Sequence, residues 1–189
     1  HRTRYTLSWT DPASGLVVRT EAITYNDFPT VEWTVYLKNT GAAATPIIEE
    51  VQALDIRLER GDRGEFLLHH FVGSPCQVND YEPLETSLIS GMTKTIAGAR
   101  GRATSSDLCY FNVESTCADG LIVALGWPGQ WAASFTRDNA KKLHIQAGQE
   151  LTRFLLHPGE EIRTPLVALQ FWKGDWIRAQ NLWRRWMIA

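Results

Sequence analysis

The 189 residues carry 19 basic and 21 acidic side chains, a formal net charge of −2, with 44% hydrophobic residues. Acids and bases are interspersed, so there is no electrostatic footprint for a nucleic-acid backbone or an anionic membrane. No run approaches the roughly eighteen apolar residues of a spanning helix. A chain of this length fits one domain, or a domain with an appendage, and buries roughly 70% of its unfolded surface without needing a metal or disulfide. The three cysteines, Cys76, Cys109 and Cys117, form no CxxC pair and no even framework. That count suits free thiols in a reducing compartment and favours the cytoplasm, with secretion left open. Cys109 and Cys117 have a spacing that a hairpin could bring face to face, although buried free Cys is common. The chain opens on His1 rather than Met, so it is expected to be cut from something longer.

Arg4 to Trp9 and Leu16 to Ile23 alternate and are joined by Asp-Pro-Ala-Ser-Gly, which predicts a hairpin. Val31, Trp33, Val35 and Leu37 then alternate with Glu32, Thr34, Tyr36 and Lys38, predicting a strand with one buried and one wet face. Ile47 to Leu58 reads as a further strand region. Phe66 to Val72 is a short apolar strand, and it leads into Gly73 to Pro83, GSPCQVNDYEP, whose turn formers predict an ordered projecting loop. Leu84 to Ile96 reads as a returning strand, Gly98 to Arg102 as a flexible link, and Leu108 to Val113 as a strand.

The run Gly120 to Phe135, GLIVALGWPGQWAASF, has no charge. Leu121, Val123 and Leu125 alternate with Ile122, Ala124 and Gly126, as in a central strand buried on both faces. Pro128 and Gly129 mark a tight turn, with a hairpin expected across it. Trp131, Ala133 and Phe135 share one face of the return strand. Leu143 to Ala147 and Leu151 to Leu156 are expected to form the next hairpin, and Leu166 to Trp172 the last strand. From Gly174 onward the pattern changes, with Trp176, Ala179, Trp183 and Trp186 at spacings of three and four. This predicts one amphipathic helix, with Asp175 placed as its N-terminal cap or a first-turn acid and Arg184 and Arg185 near its favourable C-terminal end. A long series of strands and then one helix defines an all-β fold: a two-sheet antiparallel β-sandwich over 1–173 with a helical exit over 174–189.

Three stretches are candidates for function. Trp127 and Trp131 bracket a turn with Gln130 between them, so indole faces could stack on a pyranose while an amide reads hydroxyls; both indoles as core plugs is the competing reading. Asn79, Asp80, Tyr81 and Glu82 offer an amide, two carboxylates and a phenol at a loop tip. Arg100, Arg102, Ser105, Ser106 and Asp107 offer guanidinium forks, for which structural pairing is the better reading. No cofactor is implied. His69 and His70 are adjacent on a strand, face opposite sides and lack zinc partners. Glu49-Glu50 and Glu160-Glu161 are neighbours in sequence whose side chains point apart, so neither is a catalytic pair.

The segments GRATSSDLCYFNV, GLIVALGWPGQWAASF and LHPGEEIRTPLVALQFWKGDWIRAQNLWRRWM, with the earlier ITYNDFPTVEWTVYLKNTG and DYEPLE, resemble the N-terminal domain of the melibiase-type α-galactosidases of glycoside hydrolase family 36 over nearly the whole chain. The resemblance implies a galactose-mutarotase-like β-supersandwich whose terminal helix connects to a catalytic (β/α)8 barrel, placed beyond Ala189. It also implies that the two catalytic aspartates of a retaining glycosidase lie on that barrel and that none of the residues here is catalytic. A loop such as Asp80, Tyr81 and Glu82 would approach the barrel's active site, sometimes on a neighbouring subunit of a homo-oligomer. The function so implied is a non-catalytic accessory domain. The alternative is an autonomous carbohydrate-binding module using Trp127, Gln130 and Trp131 or the concave face of the sandwich.

Overall fold

A computed structural model describes residues 1–115 and 118–189. The alternative in which a hairpin brings Cys109 to face Cys117 therefore lies outside the described residues. Among those residues the chain forms fifteen strands and one helix. The strands are β1 (Arg2–Thr10), β2 (Leu16–Tyr25), β3 (Thr30–Asn39), β4 (Ile48–Glu49), β5 (Leu54–Glu59), β6 (Phe66–Phe71), β7 (Pro83–Leu88) and β8 (Thr93–Ala97). They continue as β9 (Tyr110–Ser115), β10 (Asp119–Gly126), β11 (Trp131–Arg137), β12 (Lys142–Gln149), β13 (Arg153–Phe154), β14 (Glu161–Arg163) and β15 (Leu166–Lys173), followed by helix α1 (Trp176–Met187).

A nine-stranded sheet runs β1-β2-β3-β15-β10-β9-β6-β7, with β14 also pairing β3, and it packs on a four-stranded sheet of order β5-β12-β11-β8. All the pairings are antiparallel, as in a sandwich of two alternating sheets. β14 and β15 lie along one edge of β3 and are interrupted at Thr164-Pro165, where Pro165 has no N–H to give and the Thr164 hydroxyl instead accepts from the Val35 N–H at 3.1 Å. The core between the sheets joins Leu68, Phe111, Val113, Leu121, Val123 and Val167 of the large sheet to Trp131, Ala133, Phe135, Leu143 and Ile145 of the small one.

β10 is central as expected, with β9 on one side and β15 on the other. Leu121, Val123 and Leu125 point into the sandwich, while Ile122 packs on the outer face with Trp172 and Ala179 beneath α1. Gly120 sits under the Trp172 ring, where a Cβ would stand 2.3 Å from Trp172 Cζ2. The helix turns off β15 through Gly174 at φ +107°, and Asp175 caps it by accepting from the Arg178 N–H at 2.7 Å. The Trp stripe faces the sheet: Trp176 stacks on His69 at 4.5 Å, Trp183 meets Tyr110 edge-on, and Trp186 meets Tyr25.

Several local expectations are corrected. β10 and β11 do not form a hairpin. β9 and β15 occupy both edges of β10, so the Trp127–Gln130 link carries the chain into the other sheet. Ile47 to Leu58 divides into β4 and β5 in different sheets, separated near Glu50, whose φ is +55°. Leu84 to Ile96 likewise divides into β7 and β8. The hairpin partner of β12 is β11, and β13 pairs with β4 in a separate two-stranded ribbon. Each break is a sheet-to-sheet crossing that leaves the apolar pattern running on. Gly98 to Arg102, expected to be flexible, is a tied turn in which the Gly98 N–H donates to the Trp131 carbonyl and the Arg102 N–H to the Ala99 carbonyl.

The large sheet outreaches the small one. β1 is exposed along its whole length, and on the core-side face of that overhang Tyr5, Leu7 and Trp9 remain 51%, 51% and 57% exposed.

Candidate functional site at one end of the sandwich

The three sequence candidates converge. The 73–83 loop is bonded to the 104–107 segment through the Gly73 N–H to the Ser106 carbonyl (2.8 Å) and the Ser74 N–H to the Thr104 carbonyl (2.6 Å), beside a Val72–Asp107 bridge. That segment is bonded in turn to the end of β8, where the Ser106 hydroxyl donates to the Ala97 carbonyl at 2.5 Å and the Ser105 hydroxyl accepts from the Ala99 N–H at 3.1 Å. Gln130 joins the third stretch. Its Oε1 accepts from the Gly101 N–H at 3.0 Å, and its Nε2 donates to the Gly98 carbonyl and to Glu150 Oε2 at 2.8 Å. Loops 73–83, 98–107 and 127–130 are therefore one connected rim, a convergence that periodicity in sequence cannot display.

Within this rim the candidates separate. Trp131 is fully buried; its Nε1–H donates to the Ala103 carbonyl at 2.7 Å and its ring meets Phe111 edge-on at 5.7 Å. This overturns its reading as a sugar-stacking face, because the ring has no accessible side. Gln130 ties the rim together, its amide bonded at both ends. Trp127 is half-buried against the core, with the Arg163 guanidinium 5.5 Å from its ring. Asp80 turns inward and accepts from the Ser74 hydroxyl and the Gln77 N–H, both at 2.9 Å, so it shapes the loop. Asn79, Tyr81 and Glu82 point outward with Arg100 and Arg102, and Tyr81 is 60% exposed. Cys76, Tyr81 and Arg100 hold φ of +67°, +65° and +56°. Three left-handed non-glycine residues on one rim are the kind of stored backbone cost found where a loop's shape matters. Behind the rim, Cys109 packs against the core, and burial pushes its thiol up.

Away from the rim, two carboxylates meet on one histidine. Glu85 and Glu114 converge on His69, whose Nδ1 lies 3.1 Å from Glu85 Oε1 and Nε2 2.9 Å from Glu114 Oε2. The imidazole fills the space between them and is covered by Trp176. His70 faces the other way toward the Thr86 hydroxyl at 3.1 Å, and burial lowers its basicity. No group of three or more His, Cys, Asp or Glu among the described residues is placed to hold a metal ion, and no helix there is long and apolar enough to cross a membrane.

A cleft of about 710 Å³, which sequence reasoning missed, opens between the end of β10 and β15 and helix α1. Leu58, Phe66, Leu121 and Phe171 give it an apolar lining, and Arg178 and Arg185 contribute charge from the helix. These residues come from separate stretches, so only the fold assembles the cleft.

The architecture, two unequal antiparallel sheets with one helix across the outer face of the larger, defines a β-supersandwich. No protein-family model and no curated protein matches the chain. Its fold is that of the N-terminal domain of family 36 α-galactosidases. The α-galactosidase AgaA of Geobacillus stearothermophilus superposes with a TM-score of 0.78 at 14% identity, over 92% of this chain and 24% of that one. The α-galactosidase of Lactobacillus brevis gives 0.79 at 13% identity over 92% and 23%, and the galactosidase domain of the α-galactosidase-sucrose kinase AgaSK gives 0.75 at 19% identity over 89% and 24%. The likeness is one of fold, and this chain spans about 24% of the length of AgaA.

Proposed function

We propose that this chain is the non-catalytic N-terminal accessory domain of a melibiase-type, α-galactosidase-like glycoside hydrolase. It braces a catalytic (β/α)8 barrel and sets the 73–83 loop at the rim of that barrel's active site. The observation that carries the reading is coverage: 92% of the chain superposes on 24% of the length of AgaA, which leaves most of such an enzyme to hold the chemistry. One converging pair of carboxylates supports the reading. A retaining glycosidase needs two of them roughly 5 Å apart with room for a sugar between, and Glu85 and Glu114 have His69 between them instead. The bracing surface we assign to α1 and the adjoining cleft: Leu58, Phe66, Leu121 and Phe171 line the cleft, and Ile177 and Met187 at the two ends of the helix are 58% and 63% exposed. An open apolar cleft of this kind favours a protein neighbour.

The test uses the full-length protein that contains this chain. With Tyr81→Ala, KM for raffinose rises about tenfold while kcat holds, as for an interaction made equally in ground and transition states. Unchanged kinetics would remove the loop from the rim, and a fully active protein lacking residues 1–189 would remove the brace.

A further inference from the structure

We propose that β1 is an interface strand through which two copies of this chain pair, edge to edge and antiparallel, joining their large sheets into one. This does not depend on the catalytic reading above.

The first observation is which groups β1 leaves open. At one end of its ladder with β2 the Asn26 N–H donates to the His1 carbonyl at 3.0 Å, and at the other the Asp11 N–H donates to the Leu16 carbonyl at 2.9 Å. Bonded residues alternate along an antiparallel strand, so the odd-numbered residues serve β2. The N–H and C=O groups of Arg2, Arg4, Thr6, Ser8 and Thr10 therefore face the open edge.

The second observation is that this edge carries fewer protections than the other edges, its only charges being Arg2 and Arg4 at one end. β7 begins at Pro83 and holds Glu85, β8 is five residues long and holds Lys94, and β5 alternates Asp55, Arg57 and Glu59 outward. Proline, lysine, alternating charge and brevity all discourage a further strand. β1 is nine residues long, RTRYTLSWT, with no proline, lysine or acid, and its apolar row of Tyr5, Leu7 and Trp9 is about half exposed.

The charge pattern selects a second copy as the occupant. Both arginines lie in the N-terminal half of β1 and only Thr6, Ser8 and Thr10 share their face in the rest. A twofold axis at Thr6 sets Arg2 opposite Thr10 and Arg4 opposite Ser8 of the second copy. Like charges never meet, and about ten hydrogen bonds satisfy every outward backbone group. Arg19, the β2 neighbour of Ser8, is already committed to Glu21 and Glu161. On the other face Tyr5 falls opposite Leu7 and Trp9 opposite Thr3 of the second copy, which merges the two apolar rows.

Sedimentation equilibrium of the 21.3 kDa chain tests this, with a concentration-dependent mass approaching twice that value expected. Thr6→Pro removes an N–H that β2 does not use, so the circular dichroism spectrum holds while dimer dissociation rises at least about thirtyfold. Ser8→Glu, placed opposite Arg4 of the second copy, tightens the dimer about fivefold at low salt. The Ser8 variant decides the matter if the proline variant does not fold. A wild-type chain that stays monomeric, including one that pairs only with an unrelated protein, would overturn the proposal. So would a dimer indifferent to a folded Thr6→Pro, or one weakened by Ser8→Glu.

Discussion

Replacing Gln130 by alanine separates a structural clamp from a sugar-reading amide. The side chain holds loop 98–101 to Glu150, just past β12, through three contacts: the Gly101 N–H at 3.0 Å, Glu150 Oε2 at 2.8 Å, and the Gly98 carbonyl. Gly98 is buried, so its carbonyl loses a partner that water cannot easily replace, at about 1–2 kcal/mol. Gly101 is exposed and Glu150 half-buried, and their two bonds add about 0.5 kcal/mol each because solvent substitutes for much of them. The expected loss is about 2–3 kcal/mol, or a fall in Tm of roughly 5–10 °C for a domain of this size. Urea unfolding followed by tryptophan fluorescence measures it, with galactose and raffinose titrated into both proteins. A loss below about 0.5 kcal/mol would refute the clamp. So would galactoside binding by the wild type that disappears in Gln130→Ala at unchanged stability, since the amide would then serve a ligand.

Three further outcomes follow from other contacts. Gly120→Ala drives a Cβ to 2.3 Å from the Trp172 ring and 2.4 Å from the Val113 carbonyl, which costs about 3 kcal/mol as overpacking in a central strand and shows as a lowered urea midpoint. Asp175→Ala removes the carboxylate accepting from the Arg178 N–H at 2.7 Å and costs about 1 kcal/mol, whereas Asp175→Asn keeps most of it. His70 is held below its ordinary value of 6.5, chiefly by burial and then by Lys94. The unfolded chain takes up a proton below about pH 6.5 that the folded chain refuses, so stability falls as pH drops from there toward the lowered value. His70→Gln flattens the pH 5 to 6.5 segment of the urea midpoint curve, and a curve parallel to wild type would contradict the buried neutral ring.

What was legible in the sequence were features carried by one segment. The charge-free Leu121 to Leu125 run announced a central strand, the spacing of Trp176, Ala179, Trp183 and Trp186 announced the helix, and Asp175 its start. Partners were not legible. The hairpins expected after Leu125 and after Ala147 fail because a strand's neighbours depend on which edges are already filled, and β10 has both filled by β9 and β15. Sheet crossings near Glu50 and Ile89 leave the apolar pattern unbroken, so two elements read as one. The chemistry of Trp127, Gln130 and Trp131 fits either a sugar-facing group or core plugs, and sequence does not choose between them. The fold sends Trp131 into the core and bonds Gln130 at both ends, while Tyr81 and Glu82 remain outward as expected for a loop tip.

The claim that the reacting acids belong to a neighbouring domain is tested most directly by following nitrophenol release from p-nitrophenyl α-galactoside. With the 189-residue chain alone, release should match buffer across pH 4 to 8, and turnover should arise when the full-length polypeptide containing this chain is assayed. Hydrolysis that copurifies with the 189-residue chain and is abolished by Glu114→Gln would contradict the account, because the chemistry would then lie inside the sandwich.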